Sequence, residues 1–198
     1  MKANYAELVK FFFEANNLGK VPRSGWRFLG LRDAEYDAEH VLGAMFVGYI
    51  LAKLEGVDAG KVLKMLLVHD LHEVRTGDFD KVAVRYLDPK QAERKALKEM
   101  VSRLPKGLGR EIISLHEEFD GRASREAIVA AQADLLQCAV KAKELIDQGN
   151  KEAQNWIDNA RKRLKAAKAR TALKMLNEIE RQSSSDWWKG LKLVQKKL

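Results

Sequence analysis

Cysteine and proline are scarce in this chain of 198 residues. The single cysteine, Cys138, excludes an internal disulfide and a cysteine-based zinc cluster. The three prolines, Pro22, Pro89 and Pro105, leave long stretches uninterrupted. No stretch alternates apolar and polar residues for long enough to predict a strand. No apolar run approaches the roughly 18 residues that a membrane span requires. These absences point to a water-soluble, helical protein.

The chain also lacks the features of a secreted protein. Its first 20 residues carry acidic and amide side chains within the apolar stretch and no small-residue cleavage site, so they do not form a signal peptide. We therefore expect a cytoplasmic location. Lys and Arg number 36 against 28 Asp and Glu, a formal net charge of +8. A positive balance of this size favours anionic partners or substrates, although it says nothing of the fold.

Helical periodicity covers nearly the whole chain. It predicts helices at roughly 3–17, 34–54, 58–76, 89–103, 107–119, 123–148, 151–181 and 186–196. Asp33 and Asp58 are candidate N-caps of the second and third of these helices. Gly149 and Asn150 form a stop signal after the sixth helix. Without a repeat or a low-complexity linker, the pattern predicts a single all-α domain, a helical bundle.

The segment 151–181 is basic and amphipathic. The simpler interpretation is an outer helix with a solvated basic face, and binding to nucleic acid or an anionic surface is the less favoured alternative. The pair Trp187 and Trp188 is expected to pack in the core or at a dimer contact rather than to stack on bases.

The stretch KMLLVHDLHEVRTGDFD, residues 64–80, ends an apolar run in a cluster of titratable side chains. Its His69 and Asp70 are candidate metal ligands, together with His40 in the preceding helix. Asp134 interrupts an otherwise apolar helix, where a carboxylate is costly to bury unless it is paired or bound to a metal. Two His and two Asp form a ligand set suited to a divalent ion such as Mn, Co, Zn, Fe or Mg.

Glu73 follows His69 by four residues, so on a continuous helix it lies on the same face, one turn further on. There it can accept a proton from the attacking water without being a ligand. Asp78, in the loop that leaves this helix, can orient a substrate or protonate a leaving group. A competing ligand scheme pairs His69 with His72, three residues on.

The loop GKVPRSGWRFLGL precedes the first candidate ligand. Its Arg23 can make paired hydrogen bonds to a phosphate, and its Trp26 can offer a flat face to a base. A solvated arginine and a packed tryptophan are the alternative interpretations.

Taken together, His40, the His69-Asp70 pair, Asp134 and the two quoted stretches resemble the HD-domain metal-dependent phosphohydrolases. The stretch VHDLHEVRTGDFD, with Glu and then Gly-Asp after the His-Asp pair, is similar to that of the 5′-deoxynucleotidase group, the YfbR and HD-domain-containing protein 2 type. The loop around Arg23 is similar as well. The resemblance covers roughly residues 5–150.

The resemblance implies an all-helical HD fold that hydrolyses deoxyribonucleoside 5′-monophosphates to the nucleoside and phosphate. It implies four ligands for one divalent metal ion: His40, His69, Asp70 and Asp134. It further implies that Glu73 acts on the attacking water and that Asp78 faces the phosphate ester and the sugar. Arg23 and Trp26 match a segment that helps to hold the nucleotide.

The helical pattern and the resemblance together set the expected organisation, and the stretch after about residue 150 matches the family poorly. Residues 1–150 would form the HD phosphohydrolase core, and residues 151–198 would add basic amphipathic helices packed on the same domain. We expect a small-molecule nucleotide as substrate, a homodimer, no membrane and no nucleic-acid partner. The alternatives are another HD-type nucleotide phosphohydrolase or phosphodiesterase, or an inactive basic helical binding protein.

Overall fold

The structure, a computed structural model, describes residues 4–191. Helices dominate this part of the chain: α1 (Tyr5–Ala15), α2 (Asp37–Glu55), α3 (Ala59–Val68), α4 (Glu73–Thr76), α5 (Pro89–Val101), α6 (Lys106–Gly121), α7 (Arg125–Asp147), α8 (Gln154–Ala166) and α9 (Arg170–Arg181). Short 3₁₀ turns lie at Asn16–Lys20, Ser24–Leu29, Ala83–Arg85 and Lys151–Ala153. Among these helices none is both long and apolar enough to cross a membrane. The all-α prediction is confirmed.

The helix predicted over 58–76 is broken where the candidate ligands lie. α3 ends at Val68, the chain turns through residues 69–72, and the single turn α4 begins at Glu73. α4 ends at Gly77, whose backbone N–H donates to the carbonyl of Glu73 over 2.8 Å. Gly77 has φ +71°, a conformation that glycine adopts without strain. The break turns His69 and Asp70 out of a regular helix.

The two predicted N-caps have different outcomes. Asp58 caps α3, because its Oδ1 accepts hydrogen bonds from the backbone N–H groups of Gly60 and Lys61 at 2.8 and 3.1 Å. The prediction for Asp33 is wrong, since α2 begins at Asp37 with Tyr36 at its N-cap. At this end of α2, the backbone N–H of Tyr36 donates to the Glu39 carboxylate over 2.9 Å. This hydrogen bond caps the helix without Asp33.

The chain divides into two compact units, residues 1–137 and 138–198. In the first, α2 and α3 pack closely at Gly48. A Cβ at this position would lie 2.3 Å from Leu66 Cδ1 and 3.2 Å from Val62 Cγ1, so only glycine lets the two helices approach this far. Leu51 and Met65 are fully buried in the same unit. This packing holds the start of α2 and the end of α3 in fixed positions.

The loop before α2 is tied to the start of that helix. An isolated antiparallel bridge joins Pro22 and Tyr36, and it is the only β pairing within residues 4–191. The N–H of Arg23 donates to the carbonyl of Glu35 over 2.9 Å, and the N–H of Asp37 donates to the carbonyl of Val21 over 2.9 Å. These bonds fix the backbone beside the Arg23 side chain.

The second unit contains the end of α7, α8 and α9. The single helix predicted over 151–181 is wrong, because the chain leaves the helix between α8 and α9, with Lys168 at φ +53°. The amphipathic interpretation is confirmed: Ile157 and Leu164 are buried, whereas Lys162 and Lys165 are exposed.

The end of the described chain differs from the predicted helix at 186–196. Residues 184–190 form turns, and residues 192–196 lie outside the described part. Trp187 and Trp188 are 78% and 53% exposed, so core packing is wrong for both, and the alternative of a dimer contact stays a prediction. The predicted division at about residue 150, with the C-terminal helices packed on the same domain, stays a prediction.

Candidate metal centre

Three helices bring the predicted ligands together. His40 lies on the buried face of α2, His69 and Asp70 directly follow α3, and Asp134 lies in α7. His40 Nε2 is 3.4 Å from His69 Nε2 and 3.3 Å from Asp134 Oδ1. Each of these three residues offers a ligand atom within 4.8 Å of the others, a spacing at which they could hold one metal ion.

Asp70 reaches the same point. Its Oδ2 lies 3.1 Å from His69 Nε2 and 3.7 Å from His40 Nε2. The competing pairing of His69 with His72 has no such support, because the His72 ring packs edge-on against His116 with centroids 5.2 Å apart. Burial lowers the pKa of His72 to about 4, so this imidazole is neutral at physiological pH.

A hydrogen bond at Nδ1 orients the ring of each of the two histidines. His69 Nδ1 is 2.7 Å from the carbonyl oxygen of Leu66, and His40 Nδ1 is hydrogen-bonded to Gln137 Oε1. Carbonyl and amide oxygens only accept, so Nδ1 of each ring carries a proton and Nε2 is turned towards the centre. Metal-binding histidines are oriented by this kind of outer hydrogen bond.

The chemistry of the centre therefore fits a divalent metal ion. The two Nε2 atoms lie 3.4 Å apart with carboxylate oxygens of Asp70 and Asp134 beside them, so nitrogen and oxygen donors surround one point where a divalent cation would neutralise the carboxylates. Burial has the largest single effect on the pKa of Asp70 and raises it, but His69, Arg23 and His40 together bring this pKa well below its usual value. Burial raises the pKa of Asp134 as well, and His40 and His69 together lower it below its usual value. Both carboxyls are thus ionised, as ligands must be.

Glu73 lies next to this centre and beside a residue that the sequence did not indicate, Asp37. Asp37 is fully buried, and its carboxyl is close enough to Glu73, Arg23 and Asp70 for each of them to affect its pKa. Burial raises the pKa of Asp37 to about 6 and that of Glu73 well above its usual value, and the charge of Asp70 raises the latter further. A buried carboxyl whose pKa is raised in this way holds a proton more readily than a free carboxyl, which suits a role in proton transfer.

Arg23 supplies the positive charge beside these acids. Its Nη1 lies 3.1 Å from Asp70 Oδ2, 3.6 Å from Asp37 Oδ1 and 3.7 Å from Glu73 Oε2. The guanidinium thus lies at the centre, where it contacts carboxylates, and its predicted role in binding a phosphate stays a prediction.

Asp78 anchors the loop that carries Arg23. Its Oδ2 accepts hydrogen bonds from the backbone N–H and the hydroxyl of Ser24, at 2.7 and 3.2 Å. Two residues on, Asp80 Oδ2 forms an ion pair with Arg27 Nη2 over 2.6 Å. The loop after α4 and the turn at Ser24–Leu29 therefore form one wall beside the metal centre.

Trp26 has a different position from the one expected of a base-stacking residue. Its side chain is buried, and its indole N–H donates to Glu35 Oε2 over 2.9 Å. Glu35 Oε1 in turn accepts a bond from Gln137 Nε2 over 2.6 Å, and Gln137 Oε1 holds His40. Gly43 leaves room for Gln137, since a Cβ there would lie 2.9 Å from its Cγ. Trp26 thus ends a buried chain of hydrogen bonds that orients His40.

Gln137→Leu should weaken divalent-metal binding by about 10- to 100-fold, because it removes the acceptor that fixes the tautomer of His40. The dissociation constant is measured by competition with a fluorescent chelator. The control Gln148→Leu changes an exposed glutamine and should bind like wild type. Unchanged affinity in the Gln137 variant would contradict the orienting role of the chain.

Sequence reasoning missed Asp37, Glu35 and Gln137. Helical spacing could have indicated two of them, since Asp37 precedes His40 by three residues and Gln137 follows Asp134 by three, so each shares a helix face with a predicted ligand. Glu35 precedes the helix, and nothing in the local pattern gives its partner.

Comparison with known proteins identifies the family of the chain. The HD domain family profile matches residues 15–176 of the chain. The chain belongs to the HD domain family. The match extends beyond residue 150, where the sequence resemblance was expected to end, so α8 and part of α9 belong to the family's pattern.

Individual relatives of this HD-domain chain carry a common name. A 5′-deoxynucleotidase HDDC2 from Bos taurus is 28% identical over 155 residues, which are 77% of this chain and 75% of that protein. The 5′-deoxynucleotidase PM0747 from Pasteurella multocida is 28% identical over 157 residues, 73% of this chain and 74% of that protein.

Solved structures show the same fold. A conserved hypothetical protein from Pyrococcus furiosus superposes with a TM-score of 0.76 at 28% identity, over 88% of this chain and 99% of that one. A protein from Magnetospirillum magnetotacticum, described as a predicted metal-dependent phosphohydrolase, gives a TM-score of 0.66 at 26% identity, over 91% and 97%.

Proposed function

We propose that this HD-domain protein is a metal-dependent phosphomonoesterase that hydrolyses deoxyribonucleoside 5′-monophosphates to the nucleoside and phosphate. The main support is the buried cluster in which the Nε2 atoms of His40 and His69 face each other beside Asp134 and Asp70. The relatives named 5′-deoxynucleotidases give the substrate class.

In this proposal the four residues His40, His69, Asp70 and Asp134 hold one divalent ion, which is Mn, Co, Zn, Fe or Mg. When bound, such an ion acts as a Lewis acid on phosphoryl oxygens and makes water easier to deprotonate. The nitrogen and oxygen donors fit several of these metals, so the donor set favours no single one.

Glu73 is the proposed proton acceptor for the attacking water. As the new bond between the water oxygen and phosphorus forms and the ester bond to the 5′ oxygen breaks, one proton must leave the water and one must reach the departing alkoxide. Glu73 can carry out the first transfer in its ionised form, which the nearby guanidinium of Arg23 favours, with Nη1 3.7 Å from Glu73 Oε2. The proton that Glu73 takes from the water can then pass to the departing 5′ oxygen, which leaves Glu73 ionised again.

Arg23 and Asp78 are the proposed substrate-binding residues. A phosphate dianion can compete with Asp70, Asp37 and Glu73 for the guanidinium of Arg23, which offers it paired hydrogen bonds. Asp78, held by Ser24, faces the sugar and the ester oxygen in this scheme. Trp26 contributes by positioning His40 through Glu35.

A phosphate-release panel tests the substrate class. The protein is incubated with Mn²⁺ or Co²⁺ and with dAMP, dGMP, dTMP, AMP, dATP or cyclic AMP. We expect phosphate from the deoxyribonucleoside monophosphates and faster release from dAMP than from AMP. Release of pyrophosphate or triphosphate from dATP, or opening of cyclic AMP without hydrolysis of dAMP, would instead assign another HD-type reaction.

The remaining expectations stay predictions. They are a cytoplasmic location, a homodimer, and the absence of a nucleic-acid partner despite the net charge of +8. The same charge can draw an anionic nucleotide towards the centre.

A further inference from the structure

The short helix α4 carries Glu73 and is too short to be stable by itself. It is a single turn, Glu73–Thr76, whereas an isolated helix needs roughly 12 or more residues to be stable in water. The Thr76 N–H bond to the His72 carbonyl, at 3.2 Å, and the Gly77 N–H bond to the Glu73 carbonyl, at 2.8 Å, close this turn. The position of Glu73 therefore depends on the residues against which α4 packs.

One side of α4 packs against a core cluster that also receives α1. Val74 lies against a group of buried residues that includes Leu97 of α5, and Phe11 of α1 packs against the same group. Adjacent residues of a helix point in different directions, so Glu73 turns away from this side and lies near Arg23. Apolar contacts are not directional, so they hold α4 in place without fixing its rotation.

An ion-pair network adds the directional contact. Arg75 Nε donates to Glu14 Oε1 over 2.5 Å, and Glu14 Oε2 accepts a hydrogen bond from Arg103 Nη1. One carboxylate of α1 thus joins α4 to the chain just after α5. Arg103 Nε also lies 3.8 Å from Glu7 Oε2, so α1 contacts Arg103 at two points. The network ties the short helix to a longer helix outside the metal centre.

The two acidic partners of Arg75 differ in exposure. The side chain of Glu14 is 16% exposed, whereas that of Glu99, whose Oε2 lies 3.0 Å from Arg75 Nη1, is 56% exposed. An exposed ion pair contributes little, because water screens it and both side chains lose freedom. A charge-assisted hydrogen bond within a mostly buried network is stronger. Glu14 is therefore the partner that holds Arg75 in place.

We propose that Glu14 and Arg75 are positioning residues, whose ion pair fixes the rotation of α4 and thereby keeps Glu73 beside the attacking water. This inference rests on the proposed role of Glu73 as the proton acceptor. In this scheme neither Glu14 nor Arg75 touches the substrate. A displacement of about 1 Å can cost about 100-fold in rate, so a loosened α4 lowers turnover although every catalytic group is still present.

Steady-state phosphate release from dAMP tests the positioning role. Glu14→Gln and Arg75→Met should each lower kcat about 10- to 100-fold, whereas KM and the metal dissociation constant stay within about twofold of wild type. A general loosening of the fold would weaken metal binding as well. Glu99→Gln removes the exposed partner of the same arginine and is the matched control, which should keep the wild-type kcat.

The double variant Glu14→Gln, Arg75→Met distinguishes one shared role from two separate ones. If both residues act through one ion pair, kcat of the double variant should lie within about threefold of kcat of either single variant. Separate effects would instead multiply, to a loss of about 100- to 10,000-fold.

Amide hydrogen exchange reports on α4 without any use of activity. In Glu14→Gln the N–H groups of residues 75–77 should exchange about 10-fold faster than in wild type, because opening of α4 no longer breaks a charge-assisted bond. The N–H groups of α7 should exchange as in wild type, which shows that the rest of the fold is kept.

Four results would overturn the proposal: a wild-type kcat in Glu14→Gln, a loss of metal affinity in that variant as large as its loss of kcat, losses that multiply in the double variant, or exchange of residues 75–77 at the wild-type rate in Glu14→Gln. A wild-type protein that releases no phosphate from dAMP would contradict the proposed function instead. Hydrogen exchange then decides by itself whether the ion pair fixes α4.

Discussion

Glu73→Gln should lower the turnover number for dAMP by about 100- to 10,000-fold while the metal content stays that of wild type. The amide has nearly the shape of the carboxyl but cannot take a proton from water. Glu73 is buried beside Asp37 and Arg23, so no solvent base easily replaces it. Steady-state phosphate release and metal analysis of the same purified sample measure the two quantities.

Glu99→Gln is the matched control for this variant. Glu99 is an exposed residue of α5 that pairs with Arg75, so its change should leave both quantities as they are. Phosphate release at the wild-type rate from Glu73→Gln would show that another group accepts the proton. Loss of the metal from that variant would make Glu73 a ligand instead.

Asp134→Ala should leave the purified protein essentially without metal. The Asp134 carboxylate lies 3.3 Å from His40 Nε2, and its loss leaves two imidazoles and one carboxylate to hold the ion. We expect affinity to fall by more than the roughly 10- to 100-fold that outer-shell changes cause. The stabilisation that added Mn²⁺ or Co²⁺ gives wild type, read as a shift of the thermal midpoint, should disappear with it.

Asp147→Ala makes the same substitution on the same helix and serves as the control. Asp147 is exposed at the end of α7, where it pairs with Lys143 and accepts a bond from the Ser184 N–H. This variant should keep its metal and its thermal shift with metal. An Asp134→Ala protein that is fully loaded would remove Asp134 from the ligand set.

Most of the fold was predictable because helix formation in this chain follows apolar spacing. The misses are places where tertiary structure overrides local preference. No Gly or Pro marks the break after Val68, and the residues around Lys168 favour a helix although the chain leaves it there with φ +53°. Where these two helices end depends on tertiary packing, which the local sequence pattern does not show.

The candidate site was predictable to a similar degree. His40, His69, Asp70 and Asp134 stood out because titratable side chains in apolar surroundings need partners. Their outer partners did not stand out. That Glu35 links Trp26 to Gln137, across about 100 residues of chain, depends on the way the loop folds back onto α7. The prediction that Trp26 faces a base was made from the local sequence, which does not show that the fold buries this side chain.

The central claim is that this HD-domain chain hydrolyses deoxyribonucleoside monophosphates with a metal held by its buried His and Asp residues. The most direct measurement is phosphate release from dAMP by the wild-type protein after complete removal of metal by a chelator, and again after addition of one equivalent of Mn²⁺ or Co²⁺. We predict no release without metal and full recovery at one ion per chain. Undiminished release from the metal-free protein, or no release with any divalent metal bound, would contradict the claim.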